Sequence, residues 1–84
     1  MLYYTYVLRS LHDGQNYSGF TKNLDLRLKQ HNAGEVQSTK HRRPLELIYF
    51  EACLNEQDAK RREKYFKTHY GRMFVKKRLK EYLK

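Results

Sequence analysis

The alternation of apolar and polar positions divides the chain into strands and helices. Leu2 to Arg9 is rich in Tyr, Thr and Val, which favour extended backbone. Alternation puts Tyr4, Tyr6 and Leu8 on one face and Tyr3, Thr5, Val7 and Arg9 on the other. His12-Asp13-Gly14-Gln15 carries an Asp-Gly hairpin signal, and Gln15 to Phe20 reads as the returning strand. A two- or four-residue loop centred on Asp13-Gly14 places Tyr17 and Gly19 on the Tyr6 and Leu8 face. Gly19 then leaves a gap beside Tyr17. Such a gap fits a close approach by a ligand or another backbone, and equally a bulge near the strand end.

The period changes to that of a helix at Leu24. Leu24, Arg27, Leu28 and His31 follow the i, i+3, i+4, i+7 spacing of a buried face, within a helix from Leu24 to Ala33. Asn23 or Thr21 can cap it, and Gly34 suits its C-terminal end. Two polar side chains therefore share the apolar stripe. Arg27 also reads as a snorkelling edge residue, and His31 as a histidine favoured by the helix dipole. Glu35 to Pro44 is a polar loop ending in Lys40, His41, Arg42 and Arg43. Leu45 to Ala52 is the third strand. Its run Leu47-Ile48-Tyr49-Phe50 does not alternate, so both faces are expected to be covered.

The second helix is expected from Asn55 to Tyr70, capped by Asn55 and stopped by Gly71. Ala59, Glu63, Phe66 and Tyr70 form its inward stripe. Lys60, Arg61, Lys64, Lys67 and Thr68 face outward. A carboxylate on an apolar stripe costs several kcal/mol unless it is paired or binds a metal. Glu63 is thus either a site residue or half of an ion pair with Arg27 or Arg62. Arg72 to Leu83 reads as a third helix, with Val75, Leu79, Tyr82 and Leu83 inward.

A chain of 84 residues is expected to form one domain, 1–84, with a small core. Its net charge is +9, from 18 Lys and Arg against 9 Asp and Glu. Clustered positive charge points to a polyanion, nucleic acid more often than a membrane surface. Lys40, Arg42 and Arg43 in the loop, with Lys60, Arg61, Lys64 and Lys67 on the second helix, are the candidates for holding a phosphate backbone. Cys53 is the lone cysteine, which excludes an intrachain disulfide and suits a reducing cytosol. The N-terminal MLYYTYVLR lacks the features of a signal peptide, and no apolar run is long enough to span a bilayer. A cytoplasmic location is therefore expected.

Several chemistries fall away. No Gly-rich loop precedes a helix in the manner of a phosphate cradle. His12, His31, His41, Cys53 and His69 do not match a zinc-ligand spacing. No serine sits in a nucleophile elbow. The residues left are Tyr6, Tyr17, Arg27, His31 and Glu63.

Their order resembles that of the GIY-YIG nuclease superfamily. Tyr4-Thr5-Tyr6 and Tyr17-Ser18-Gly19 stand where the two motifs of the family name fall. Arg27 and His31 follow on the first helix, and Glu63 on the second. The chain looks most like the small stand-alone bacterial members, and more distantly like the N-terminal nuclease domain of the excinuclease C subunit. The resemblance runs from residue 2 to about residue 79. It implies an α+β fold, a three-stranded antiparallel sheet in order 2-1-3 flanked by about three helices. It also implies a divalent-metal DNA endonuclease, with Tyr6, Tyr17, Arg27, His31 and Glu63 at the functional positions. Three motif positions and one absence depart from the pattern. Tyr4 replaces the first glycine, Thr5 and Ser18 replace the isoleucines, and no asparagine lies beyond Asn55 where some members carry one.

The same residues suit phosphodiester cleavage, which needs a deprotonated water, a stabilised pentavalent dianion and a neutralised leaving oxygen. Glu63 is a hard oxygen ligand for one Mg²⁺ or Mn²⁺ ion. Arg27 offers a fork for a non-bridging phosphate oxygen. Tyr17 is the candidate general base, with Tyr6 and His31 placing the water or sharing the proton. A phenol titrates near ~10, so such a base needs neighbouring positive charge at neutral pH. The expected function is hydrolysis of DNA, flapped or branched, in repair or recombination, with a homodimer or partner protein adding contact surface. The alternatives are a non-catalytic nucleic-acid-binding module on the same fold and a protein-interaction domain whose charge serves solubility.

Overall fold

The hairpin that opens the chain sets the register of everything else. β1 (Tyr3–Ser10) and β2 (Asn16–Thr21) pair antiparallel around a four-residue loop, 11–14. The Ser10 amide donates to the Gln15 carbonyl at 2.9 Å, and Gly14 takes a φ of 73° that favours glycine. Leu8 lies opposite Tyr17, and Tyr6 opposite Gly19, so the expected shared face is the observed one. These features come from a computed structural model of residues 1–84.

β3 (Leu45–Cys53) pairs with the other side of β1, giving an antiparallel sheet in order β2-β1-β3. Val7 pairs with Tyr49 but Leu8 with Leu47, so Ile48 is an extra residue at a bulge. The bulge explains the apolar run that does not alternate. Leu47 packs with Tyr6 and Leu8 on one face, while Ile48 and Tyr49 pack with Val7 on the other. Coverage of both faces holds only in part, because Phe50, opposite Tyr6, remains 48% exposed beside Tyr4.

α1 (Leu24–Asn32) covers the Tyr6 face through Leu24 and Leu28, with Asn23 Oδ1 accepting from the Leu26 amide at 3.1 Å. α2 (Glu56–Phe66) and α3 (His69–Arg78) cover the opposite face around Val7, Phe66 and Val75. Arg62 lies over the rings of Phe66 and Phe74, 4.9 and 4.6 Å from their centres, and forks onto Glu51 at 2.8 and 3.0 Å. It is therefore not the partner of Glu63.

The second helix is shorter than its sequence suggests. It ends at Phe66, and Thr68 starts α3 by accepting from the Gly71 amide at 3.1 Å and donating to the Tyr65 carbonyl at 2.6 Å. Gly71 is not the stop signal. It is buried in the first turn of α3, where a Cβ would run into the Tyr65 carbonyl. Tyr70 consequently points outward and is 76% exposed. α3 in turn ends at Arg78, and Tyr82 lies half exposed in the turns beyond it.

Candidate active site

Tyr6 is the centre of the polar cluster under α1. Its ring lies flat across Gly19, where any Cβ would collide with the phenol. The gap that glycine leaves in β2 is thus filled by a tyrosine from β1, neither by a bulge nor by another backbone. The Tyr6 hydroxyl lies 2.8 Å from His31 Nε2 and accepts from Arg27 Nε at 3.4 Å. One turn of helix separates Arg27 from His31, which lets both reach the same oxygen. Tyr6 is almost wholly buried, and burial raises its pKa above the usual phenol value. The Arg27 hydrogen bond and charge oppose that rise, while Tyr17 and the Glu63 carboxylate add to it. Tyr6 therefore stays protonated at neutral pH.

His31 is completely buried, and its other ring nitrogen, Nδ1, lies 2.7 Å from Thr39 Oγ1. Burial first, and then the Arg27 charge, hold its pKa down at about 4. The imidazole is neutral at pH 7, so it accepts a hydrogen bond at one nitrogen and donates one at the other. Thr39 is itself fully buried. Nothing in the sequence marks it, since a threonine in a polar loop carries no periodic signal. The His31 ring also stands edge-on to Tyr17, with centres 5.3 Å apart. Tyr17 is half-buried, and its hydroxyl accepts a long hydrogen bond, 3.4 Å, from Ser38 Oγ.

Glu63 departs from its expected setting. Its side chain is 22% exposed, and Oε2 pairs with Lys67 Nζ at 3.1 Å, one turn along α2. It is neither a deeply buried lone carboxylate nor the partner of Arg27 or Arg62. Arg27 has Gln30 as its other partner, at 3.2 Å from Nη1, and its Nη2 makes no hydrogen bond within the chain. No group of three or more His, Cys, Asp or Glu gathers anywhere in the molecule. A single carboxylate with one oxygen unpaired nevertheless fits Mg²⁺ or Mn²⁺. Mg²⁺ keeps several waters and takes one or two carboxylates plus substrate phosphates.

The basic candidates divide into two sets. Arg42 is committed to the fold: it pairs with Asp13 at 2.9 Å, and its carbonyl accepts from Ser10 Oγ at 2.6 Å. Lys60 pairs with Glu56, Arg61 with Asp58 and Lys67 with Glu63. Lys40, Arg43 and Lys64 carry no ion pair. Arg43 bonds the Lys40 carbonyl through Nε and leaves the rest of its fork near Gly34.

Fold and site together define a class. A model described as the GIY-YIG catalytic domain matches residues 2–79. The chain belongs to the GIY-YIG family, a family of nuclease domains, which implies a DNA substrate. Its relatives include UPF0213 proteins. That of Pediococcus pentosaceus is 47% identical over 66 residues, covering 77% of this chain and 68% of the relative. That of Bacillus pumilus is 42% identical over 67 residues, covering 79% and 67%. The solution structure of the UPF0213 protein BH0048 from Bacillus halodurans aligns with a TM-score of 0.56 at 29% identity, over 89% of this chain and 82% of that one. No helix is long and apolar enough to cross a membrane.

Proposed function

We propose that this chain is a divalent-metal-dependent endonuclease that cuts DNA by direct attack of water and leaves a 5′ phosphate. The observation that carries this reading is the meeting of Arg27 and His31 on the Tyr6 hydroxyl, with Tyr17 against the same imidazole. Arg27 has a guanidinium nitrogen to spare for a non-bridging phosphate oxygen. Tyr6, kept protonated by burial, orients the attacking water or the phosphate by hydrogen bonding. Tyr17 is the more accessible phenol and is the general base. Acting as phenolate, its oxygen takes the proton that water loses and becomes the phenol as the new P–O bond forms and the bond to the 3′ oxygen breaks. His31, neutral and fixed at both nitrogens, holds Tyr6 in place and packs the Tyr17 ring. Glu63 would hold the metal ion. When bound, Mg²⁺ or Mn²⁺ supplies positive charge to the dianionic transition state and the departing oxygen.

The substrate reading is structure-selective cleavage of branched or flapped DNA, in repair or recombination. A chain of 84 residues has little surface with which to read a long sequence, so shape, a second copy or a partner protein supplies the selectivity. No group of three His, Cys, Asp or Glu gathers at the site, and no asparagine follows Asn55 in the sequence, which is what favours the rival reading of a binding module without catalysis. Labelled linear, flapped, branched and single-stranded DNA, incubated with Mg²⁺, Mn²⁺ or EDTA, separates the two. Metal-dependent cutting is the expected result. Binding with no cutting on any substrate would establish the rival.

A further inference from the structure

Behind the sheet, on the face opposite Tyr6, Arg9, Lys67, Arg72 and Lys76 line a groove of about 590 Å³ between the β1–β2 hairpin and α3. No carboxylate lines it. Arg9, Arg72 and Lys76 make no ion pair, and Arg9 leaves even Glu46, its cross-strand neighbour, unpaired. Cations facing one cavity with no counter-charge repel one another, and an anion entering it relieves that repulsion. Asn16 and Ser18 add uncharged hydrogen-bonding groups along the hairpin wall. Ser18 stands where the family motif has isoleucine, so this chain presents a polar group there.

We infer that the groove holds the sugar-phosphate backbone of a second DNA segment while the segment to be cut lies on the Tyr6 face. This rests on the nuclease reading of that face. β2 is an edge strand of the sheet, and alternation turns Tyr17 to one face and its neighbours Asn16 and Ser18 to the other. DNA crossing that edge therefore meets both sites. A straight duplex cannot follow such a path, whereas a branched, flapped or single-stranded one can. Lys67 connects the groove to Glu63. It lines the groove and pairs with Glu63 at 3.1 Å, so a phosphate that draws it into the groove frees the carboxylate.

The test is a titration of ¹⁵N-labelled protein with a branched DNA in EDTA, read by amide chemical shifts. Shifts at Arg72 to Lys76 together with shifts at Tyr6 and Gly19 are expected. Movement at Tyr6 and Gly19 with Arg72 to Lys76 unmoved would overturn the groove. Movement at Arg72 to Lys76 alone would keep the groove and sink the nuclease site. No movement at either would overturn both. Arg72→Glu with Lys76→Glu should lower the slope of log affinity against log salt by about 2, two contacts at ~0.9 each. Lys29→Glu with Lys77→Glu makes the same change in net charge outside the groove and should lower the slope less. Equal loss from the two pairs would also count against the groove.

Discussion

Thr39 Oγ1 stands 2.7 Å from His31 Nδ1, and both side chains are wholly buried. That contact fixes the ring, and with it the Nε2 that meets Tyr6. Thr39 is thus a positioning residue for the phenol. Thr39→Val keeps the shape but leaves Nδ1 unpaired, at a cost of about 1–3 kcal/mol. Thermal unfolding should show that loss, and cleavage should fall with it. Thr39→Ser retains the hydroxyl and should recover most of both. Equal damage from Val and Ser would mean that the methyl group, not the hydrogen bond, matters here.

The His31 imidazole also gives the fold a pH dependence. In the unfolded chain it takes up a proton near 6.5, and in the folded chain only at about 4. Between those values the unfolded state binds more protons, so stability falls as pH drops from 6.5 towards 4. The ceiling is about 3 kcal/mol. The lowered carboxylates Glu51 and Glu56 act in the same direction, starting below their unfolded value of 4.5. Urea unfolding of His31→Gln between those limits should lose the upper part of the slope alone. An unchanged slope would place the titration elsewhere.

Two glycines separate site geometry from fold. A Cβ at Gly19 meets only the Tyr6 ring, whereas one at Gly71 meets the backbone of Tyr65 and Phe66. Gly71→Ala must push α3 off α2 and should cost about 2–4 kcal/mol, as overpacking and lost contacts combine. Gly19→Ala must displace the phenol from His31 and Arg27, and should lose activity at a smaller stability cost. Calorimetry and cleavage measured on both variants check the contrast.

Glu63→Gln should be nearly silent in stability. Its partner Lys67 is more than half exposed, and such pairs contribute under about 1 kcal/mol. Isothermal titration with Mn²⁺ and DNA together should show metal uptake by the wild type that the variant lacks. Equal uptake would move the metal away from this carboxylate.

The sheet was largely legible in the sequence, because a turn with Asp13-Gly14 and a period of two fix register locally. Tyr6, Tyr17, Arg27 and His31 come together in the fold, and α1 brings Arg27 and His31 to one oxygen by spacing alone, whereas Glu63 pairs with Lys67. What escaped depended on contacts distant in sequence. Thr39 meets His31 only because its loop folds back over α1. The bulge at Ile48 needs the pairing with β1. The break at Thr68 was hidden because Gly71 serves equally well as a helix stop and as a close-packing residue. Glu63 lies on the inward stripe yet stays partly exposed, because a helix stripe indicates direction but not how much of it a neighbour covers.

Cleavage of labelled branched DNA with Mn²⁺ by wild type, Tyr17→Phe and Glu63→Gln, purified identically, tests the central claim most directly. The wild type should cut, and each variant should fall by about a hundredfold or more, as expected for loss of a general base or of transition-state charge stabilisation. Cutting that survives both substitutions, or DNA that is bound and never cut, would contradict it.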